Sequence, residues 1–80
     1  MSILPSQWRA ARALIDMDQA ELTRWAVVPL RVIAGFENGS LTPSGSNLAA
    51  IRTALEDAGV IFIDENSEGP GVRLRKTRGR

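Results

Sequence analysis

The sequence predicts a mostly α protein in which four helices are followed by a C-terminal β-hairpin. Apolar residues recur at helical spacing in four stretches between Pro5 and Gly59. Residues that commonly start or end helices separate these stretches. Beyond Gly59 the period changes to short runs that suit strands. We therefore expect a helical domain over residues 5–59, a hairpin over 60–75 and a disordered basic tail over 76–80.

The composition narrows the classes of function. A chain of 80 residues makes one domain and buries only about 60% of its unfolded surface. It contains neither cysteine nor histidine, so a thiolate metal site and the commonest general base are both absent. We expect no enzyme, and no catalytic, cofactor or metal site. The apolar runs are too short to span a membrane and the start lacks a basic signal-peptide region, which predicts a cytoplasmic protein.

The net charge of +1 conceals three regions of different charge. Residues 1–55 hold five arginines against four acids, and residues 56–72 hold five acids and no base. Residues 73–80 hold five basic side chains. The basic cluster therefore lies in the tail, and the helical region is nearly neutral.

The first helix is expected to begin at Pro5 or Ser6 and to end near Met17. Its inner stripe follows helical spacing. Both tryptophans of the chain also fall at helical spacing and are expected to fill the core. The stripe consists of Trp8, Ala11, Leu14 and Ile15.

The stretch 19–39 carries the pattern of two short helices joined by a tight turn. Asp18 and Glu21 form a predicted capping box, and Leu22, Trp25 and Ala26 follow on one helical face. Pro29 suits the first position of the next helix. That helix is expected to bury Ile33 and Phe36 and to end at Gly39.

The remaining elements are a fourth helix and the hairpin. Thr42, Ser44 or Ser46 could cap the helix, which Gly59 is placed to end. Its apolar face is Leu48, Ile51, Leu55 and Ala58. The strands, near 60–63 and 72–75, would be marginal alone. The hairpin must therefore pack on the helices, pair with a second copy to form a homodimer, or both.

The stretch from Gln19-Ala20-Glu21-Leu22 to Phe36-Glu37-Asn38-Gly39 resembles the Cro/repressor-type helix-turn-helix domain, also called the lambda-repressor-like or XRE family. The resemblance covers residues 5–58. It implies an ion pair between Arg12 and Glu37, and a dimer that binds double-stranded operator DNA with the second helix of the motif in the major groove. The family usually has glycine where Val27 stands, because that position needs positive φ. Since a β-branched residue tolerates positive φ poorly, we expect a reshaped turn.

The resemblance also implies roles for individual residues in regulating transcription. Gln19 and Asn38 would contact phosphates, and Arg31 is the one side chain of the helix that could make a bidentate contact with guanine. The residues expected to face the DNA are Gln19, Pro29, Leu30, Arg31, Ala34, Gly35 and Asn38.

The same outward surface supports a second hypothesis, because its residues are mostly apolar. Val27, Leu30 and Val32 could anchor another protein in place of DNA. The chain would then act as an antiactivator that sequesters a transcription factor by protein–protein interaction. Residue identities alone leave both hypotheses open.

Overall fold

The computed structural model describes residues 3–76 and confirms a small, mostly helical protein with a two-stranded antiparallel hairpin. Of the predicted disordered tail, residues 77–80 lie outside the described residues. The elements are α1 (Pro5–Leu14), α2 (Gln19–Ala26), α3 (Leu30–Glu37), α4 (Gly45–Asp57), β1 (Val60–Ile63) and β2 (Gly71–Leu74).

Side-chain caps start two of the helices. The Asp18 Oδ1 atom accepts a hydrogen bond from the Glu21 backbone N–H at 2.7 Å, and Ser44 Oγ accepts one from the Asn47 N–H at 3.2 Å. Each bond satisfies an amide that has no partner inside its helix. Ser44 is thus the cap of α4 among the three candidates. For α2, the described chain forms only the Asp18 half of the predicted capping box.

Helix α1 ends at Leu14, three residues earlier than the sequence suggested. Asp16 adopts a left-handed conformation with φ of 54°, and this breaks the helix. The break turns Met17 back into the core, where it is 8% exposed, and leaves Leu14 40% exposed at the end of the helix. The prediction that Leu14 faces inward is therefore wrong.

The core lies where α1, α2, α3 and α4 meet, and β1 closes it. Trp8 is fully buried, and its ring centroid lies 4.1 Å from that of Phe36. Trp25, by contrast, is 60% exposed, so the expectation that it fills the core is wrong. Leu22 and Ala26 occupy the buried stripe of α2, and Trp25 falls on the rim of that stripe.

The hairpin packs on the helices, which is one of the arrangements that the sequence predicted. Its strands pair Val60 with Leu74 and Ile63 with Gly71, and β1 buries Val60 and Phe62 against the helical core. Gln7 joins the two strands to α1: its amide nitrogen donates to the carbonyl oxygens of Ile63 and Gly71 at 3.3 and 3.0 Å.

None of the helices within residues 3–76 has both the length and the apolar character that crossing a membrane requires.

Candidate functional site

The turn between α2 and α3 consists of three residues, and the first of them has an unusual backbone conformation. Val27 adopts φ of 56° and ψ of 50°, the left-handed region that glycine adopts most readily. The expected reshaping of the turn is therefore wrong. Ala26 and Val28, buried on either side, hold the backbone in place.

Val27 gains no burial in return for this conformation. A β-branched residue at positive φ is strained by about 1–2 kcal/mol. Its side chain is 87% exposed and so contributes little packing energy to the isolated domain. Valine is thus less favourable than glycine at this position, as far as folding is concerned.

Pro29 is the cap of α3 and not its first residue. Its ψ of 144° is extended, and its carbonyl oxygen accepts from the Val32 N–H at 3.0 Å. The helix therefore begins one residue later than predicted, at Leu30. Pro29 itself lies exposed at the surface, beside the first turn of the helix.

Glu37, the last residue of α3, anchors this helix to α1 and α2. Its carboxylate accepts from Arg12 Nε at 2.8 Å, from Arg12 Nη2 at 2.6 Å and from Gln19 Nε2 at 3.0 Å. Arg9 donates to the Glu37 backbone carbonyl. The structure therefore contains the Arg12–Glu37 pair, with Gln19 as an additional partner.

The ion pair between Arg12 and Glu37 is largely buried. The Glu37 side chain is 3% exposed and that of Arg12 is 18% exposed. Hydrogen bonding to Glu37 raises the pKa of Arg12, and the attraction of the Glu37 and Asp18 carboxylates acts in the same direction against the opposing effect of burial. Arg12 Nη1 also donates to the Met17 carbonyl at 3.1 Å, which secures the chain between α1 and α2.

Gln19, which was predicted to contact a phosphate, has a hydrogen-bond partner within the protein. One N–H of its side-chain amide is used by Glu37. Because an amide nitrogen carries two hydrogens, a second N–H remains for another acceptor. The acids Asp16 and Asp18 are exposed beside this helix start, so an approaching anion would meet negative charge there.

The exposed part of α3 is its first turn. Leu30 is 48% exposed and Arg31 is also at the surface. Val32 is 7% exposed and belongs to the core beside Ile33, so its predicted role as a partner anchor is wrong. The reason is that the inner stripe of α3 is wider than the residue spacing suggested.

Gly35 is also buried, against the expectation that it faces outward. The segment after α3 folds over it: the backbone N–H groups of Ser40 and Leu41 donate to the Gly35 carbonyl at 2.9 and 3.1 Å. A Cβ atom at position 35 would lie 2.8 Å from the Leu41 Cβ. Leu41 therefore takes the surface that a side chain at position 35 would have covered.

The other predicted contact residues of α3 lie toward its C-terminal half. Ala34 is half-buried, and Asn38 is exposed just after the helix. The Asn38 Oδ1 atom accepts from the Ser40 N–H at 2.9 Å. The Asn38 amide N–H groups remain the donors available to an outside acceptor.

Three apolar side chains at and next to this turn are exposed, namely Trp25, Val27 and Leu30, and they are called the apolar patch below. These side chains are 60%, 87% and 48% exposed. Arg24 and Arg31 are exposed beside them in the sequence. Val27 and Leu30 were expected at the surface from the sequence, whereas Trp25 was expected in the core.

The acidic side chains of residues 3–76 form no cluster of three or more that could hold a metal ion. Comparison of the chain with protein-family models finds no match, and comparison with curated proteins finds none either.

Proposed function

We propose that this chain is a small transcription regulator of the helix-turn-helix type that binds operator DNA with α3 in the major groove. The observation that carries this proposal is the combination of an anchored helix with an exposed first turn. Glu37 fixes the C-terminal end of α3 to α1 and α2, while Leu30 and Arg31 remain at the surface at its other end.

Arg31 and Gln19 would have different tasks in such a complex. The planar guanidinium of Arg31 matches the O6 and N7 acceptors of guanine, a contact that distinguishes base pairs. The second amide N–H of Gln19 would bind a phosphate, which orients the protein without reading sequence. Asn38 offers further donors at the far end of α3.

A homodimer would bind a palindromic DNA site. The two-stranded hairpin has an outer edge on each strand that pairs with no other strand of the described residues. Pairing of two copies through such an edge would relate their α3 helices by a two-fold axis. Two recognition helices then read half-sites in successive major grooves, about 34 Å apart.

The test is selection of bound sequences from pooled genomic fragments at low salt, followed by titration of the best duplex. Arg31→Ala should remove the preference for guanine at the base pair that Arg31 reads, whereas Gln19→Ala should weaken binding to all sequences alike. Both effects should shrink as salt increases. Lys76→Ala is the matched control, because it removes one positive charge from an exposed position after β2. Equal, sequence-independent binding by the wild type and by Arg31→Ala would contradict the proposal.

The apolar patch favours a second candidate function, that of an antiactivator. Trp25 and Val27 are both exposed and lie two positions apart in the sequence, and exposed apolar residues of this kind commonly anchor partner proteins. The exposed arginines Arg24 and Arg31 suit a partner that combines apolar and acidic side chains, such as a segment of a transcription factor.

Trp25→Asp separates the two candidates, because Trp25 lies on α2 and outside the DNA-facing turn of α3. If the ligand is a protein, this variant and Leu30→Asp should both abolish regulation in the cell while the purified domain stays folded. If the ligand is DNA, Trp25→Asp should retain the selected operator preference. Circular dichroism on each variant checks the fold.

A further inference from the structure

The surface that α3 would present to a groove is nearly devoid of hydrogen-bonding side chains. Within its first turn, Leu30 is apolar and Arg31 is the one side chain with donors. One turn later, Ala34 is half-buried and Gly35 has no side chain. This composition limits which features of a base pair the helix could recognise.

Leu41 extends this apolar character. Residues 31 and 35 are neighbours on one face of a helix, being four residues apart. Leu41 lies over Gly35: a Cβ atom added at position 35 would be 2.8 Å from the Leu41 Cβ. Leu41 is itself 40% exposed, and hydrogen bonds from the Leu41 and Ser40 backbone N–H groups to the Gly35 carbonyl hold the loop there. Leu41 therefore covers the position one helical turn beyond Arg31, and Leu30 precedes Arg31 in the helix.

In the major groove, an apolar side chain can recognise one feature, the 5-methyl group of thymine. We propose that this chain recognises thymine methyl groups through Leu30 and Leu41, on either side of a guanine that Arg31 recognises. This proposal rests on the proposed function. The ligand class is therefore a half-site in which thymines flank one guanine, and in which methyl groups carry much of the preference.

The experiment exploits deoxyuridine, which pairs and hydrogen-bonds as thymidine does but lacks the methyl group. The best duplex selected above is prepared with uracil in place of thymine at one position at a time, and the affinity of the full chain is measured by fluorescence anisotropy. We expect about fourfold weaker binding at one or two thymines per half-site, the amount expected for burial of one methyl group. Other thymines should show no difference.

Protein variants assign the methyl groups to side chains. Leu30→Ala should equalise thymine and uracil at one of the sensitive positions, and Leu41→Ala at another. Leu14→Ala is the matched control, since Leu14 is 40% exposed on α1, and it should leave both differences intact. Arg31→Ala should relax the preference for guanine while the thymine to uracil ratio persists.

The possible failures are distinguishable. If the wild type selects a duplex but binds its thymine and uracil forms equally at every position, the methyl-reading proposal is overturned and the proposed function stands. If the wild type selects no DNA at low salt, the proposed function fails and the methyl-reading proposal fails with it.

Discussion

The guanidinium of Arg12 donates two hydrogen bonds to the carboxylate of Glu37, at 2.8 and 2.6 Å. The contact joins α1 to the last residue of α3 across 25 positions of sequence. Because the Glu37 side chain is 3% exposed, the negative charge depends on these donors and on Gln19 in place of water. The orientation of α3 therefore depends on this pair.

Arg12→Met should lower the free energy of unfolding by about 3–5 kcal/mol, because it leaves the Glu37 carboxylate buried without its cation. A domain of this size has only about 0.05–0.15 kcal/mol of stability per residue, so urea denaturation should show a variant near its unfolding threshold. The double variant Arg12→Met, Glu37→Leu should recover most of the loss. A double variant no more stable than Arg12→Met would contradict this explanation.

The pH dependence of this pair follows from the direction of the Arg12 pKa. Because folding raises the pKa of Arg12, the pair contributes fully below the unfolded-state pKa and is lost only as the pH rises through the folded-state value. Arginine titrates above about pH 12. The difference in stability between wild type and Arg12→Met should therefore not decrease in urea titrations as the pH rises from neutral to about pH 11.

Val27→Gly should stabilise the isolated domain by about 1 kcal/mol in urea denaturation. Glycine adopts the observed φ of 56° without strain, and little buried surface is lost because the valine is 87% exposed. Asp16→Gly is the matched comparison, since Asp16 has φ of 54° but is not β-branched, and its gain should be smaller.

The same Val27→Gly variant also separates the two candidate functions. A DNA ligand that docks on α3 predicts unchanged operator affinity in the more stable protein. A protein partner that uses the apolar patch predicts weaker binding despite the gain in stability. Isothermal titration with the selected duplex measures the first outcome, and regulation in the cell measures the second.

Gln7→Leu should loosen the hairpin more than the helices. Gln7 is 4% exposed, and its side chain accepts from the Leu4 N–H at 2.8 Å while donating to Ile63 and Gly71. Its loss leaves buried backbone groups without partners, a penalty of about 1–3 kcal/mol for each. Amide hydrogen exchange should accelerate in β1 and β2, while Ser6→Ala, an exposed change in the same turn, should have no such effect.

Asp18→Asn should increase affinity for DNA about two- to fivefold at low salt, if α2 approaches a phosphate. Asparagine retains the cap to the Glu21 N–H while the negative charge beside the helix start is removed. Asp64→Asn removes the same charge from an exposed position after β1 and serves as the control. Equal gains from the two variants would indicate a general charge effect in place of a phosphate contact at α2.

Local chemistry made much of the fold predictable. Asp18 and Ser44 are caps with a direct hydrogen-bonding reason to start helices. Gly59, with φ of 110°, ends α4 where the sequence placed its end. The change of period after Gly59 predicted the hairpin because strands and helices place side chains at different intervals.

The parts that were not predictable depend on contacts distant in sequence. Gln7 gave no indication that it would join the two strands, because its partners lie 56 and 64 residues away. Gly35 is buried by a loop, and the spacing of residues in the sequence does not reveal the path of that loop. The left-handed Val27 shows that buried neighbours can override the local preference of a residue.

The packing of Leu41 on Gly35 also restricts how the proposed DNA specificity could be changed. An engineer who places a glutamine or arginine at position 35 would displace the following loop, since even a methyl group lies within 2.8 Å of the Leu41 Cβ. New specificity is more accessible through residue 41 itself, whose side chain already reaches solvent. Diversification of this chain would therefore begin in the loop and leave the helix unchanged.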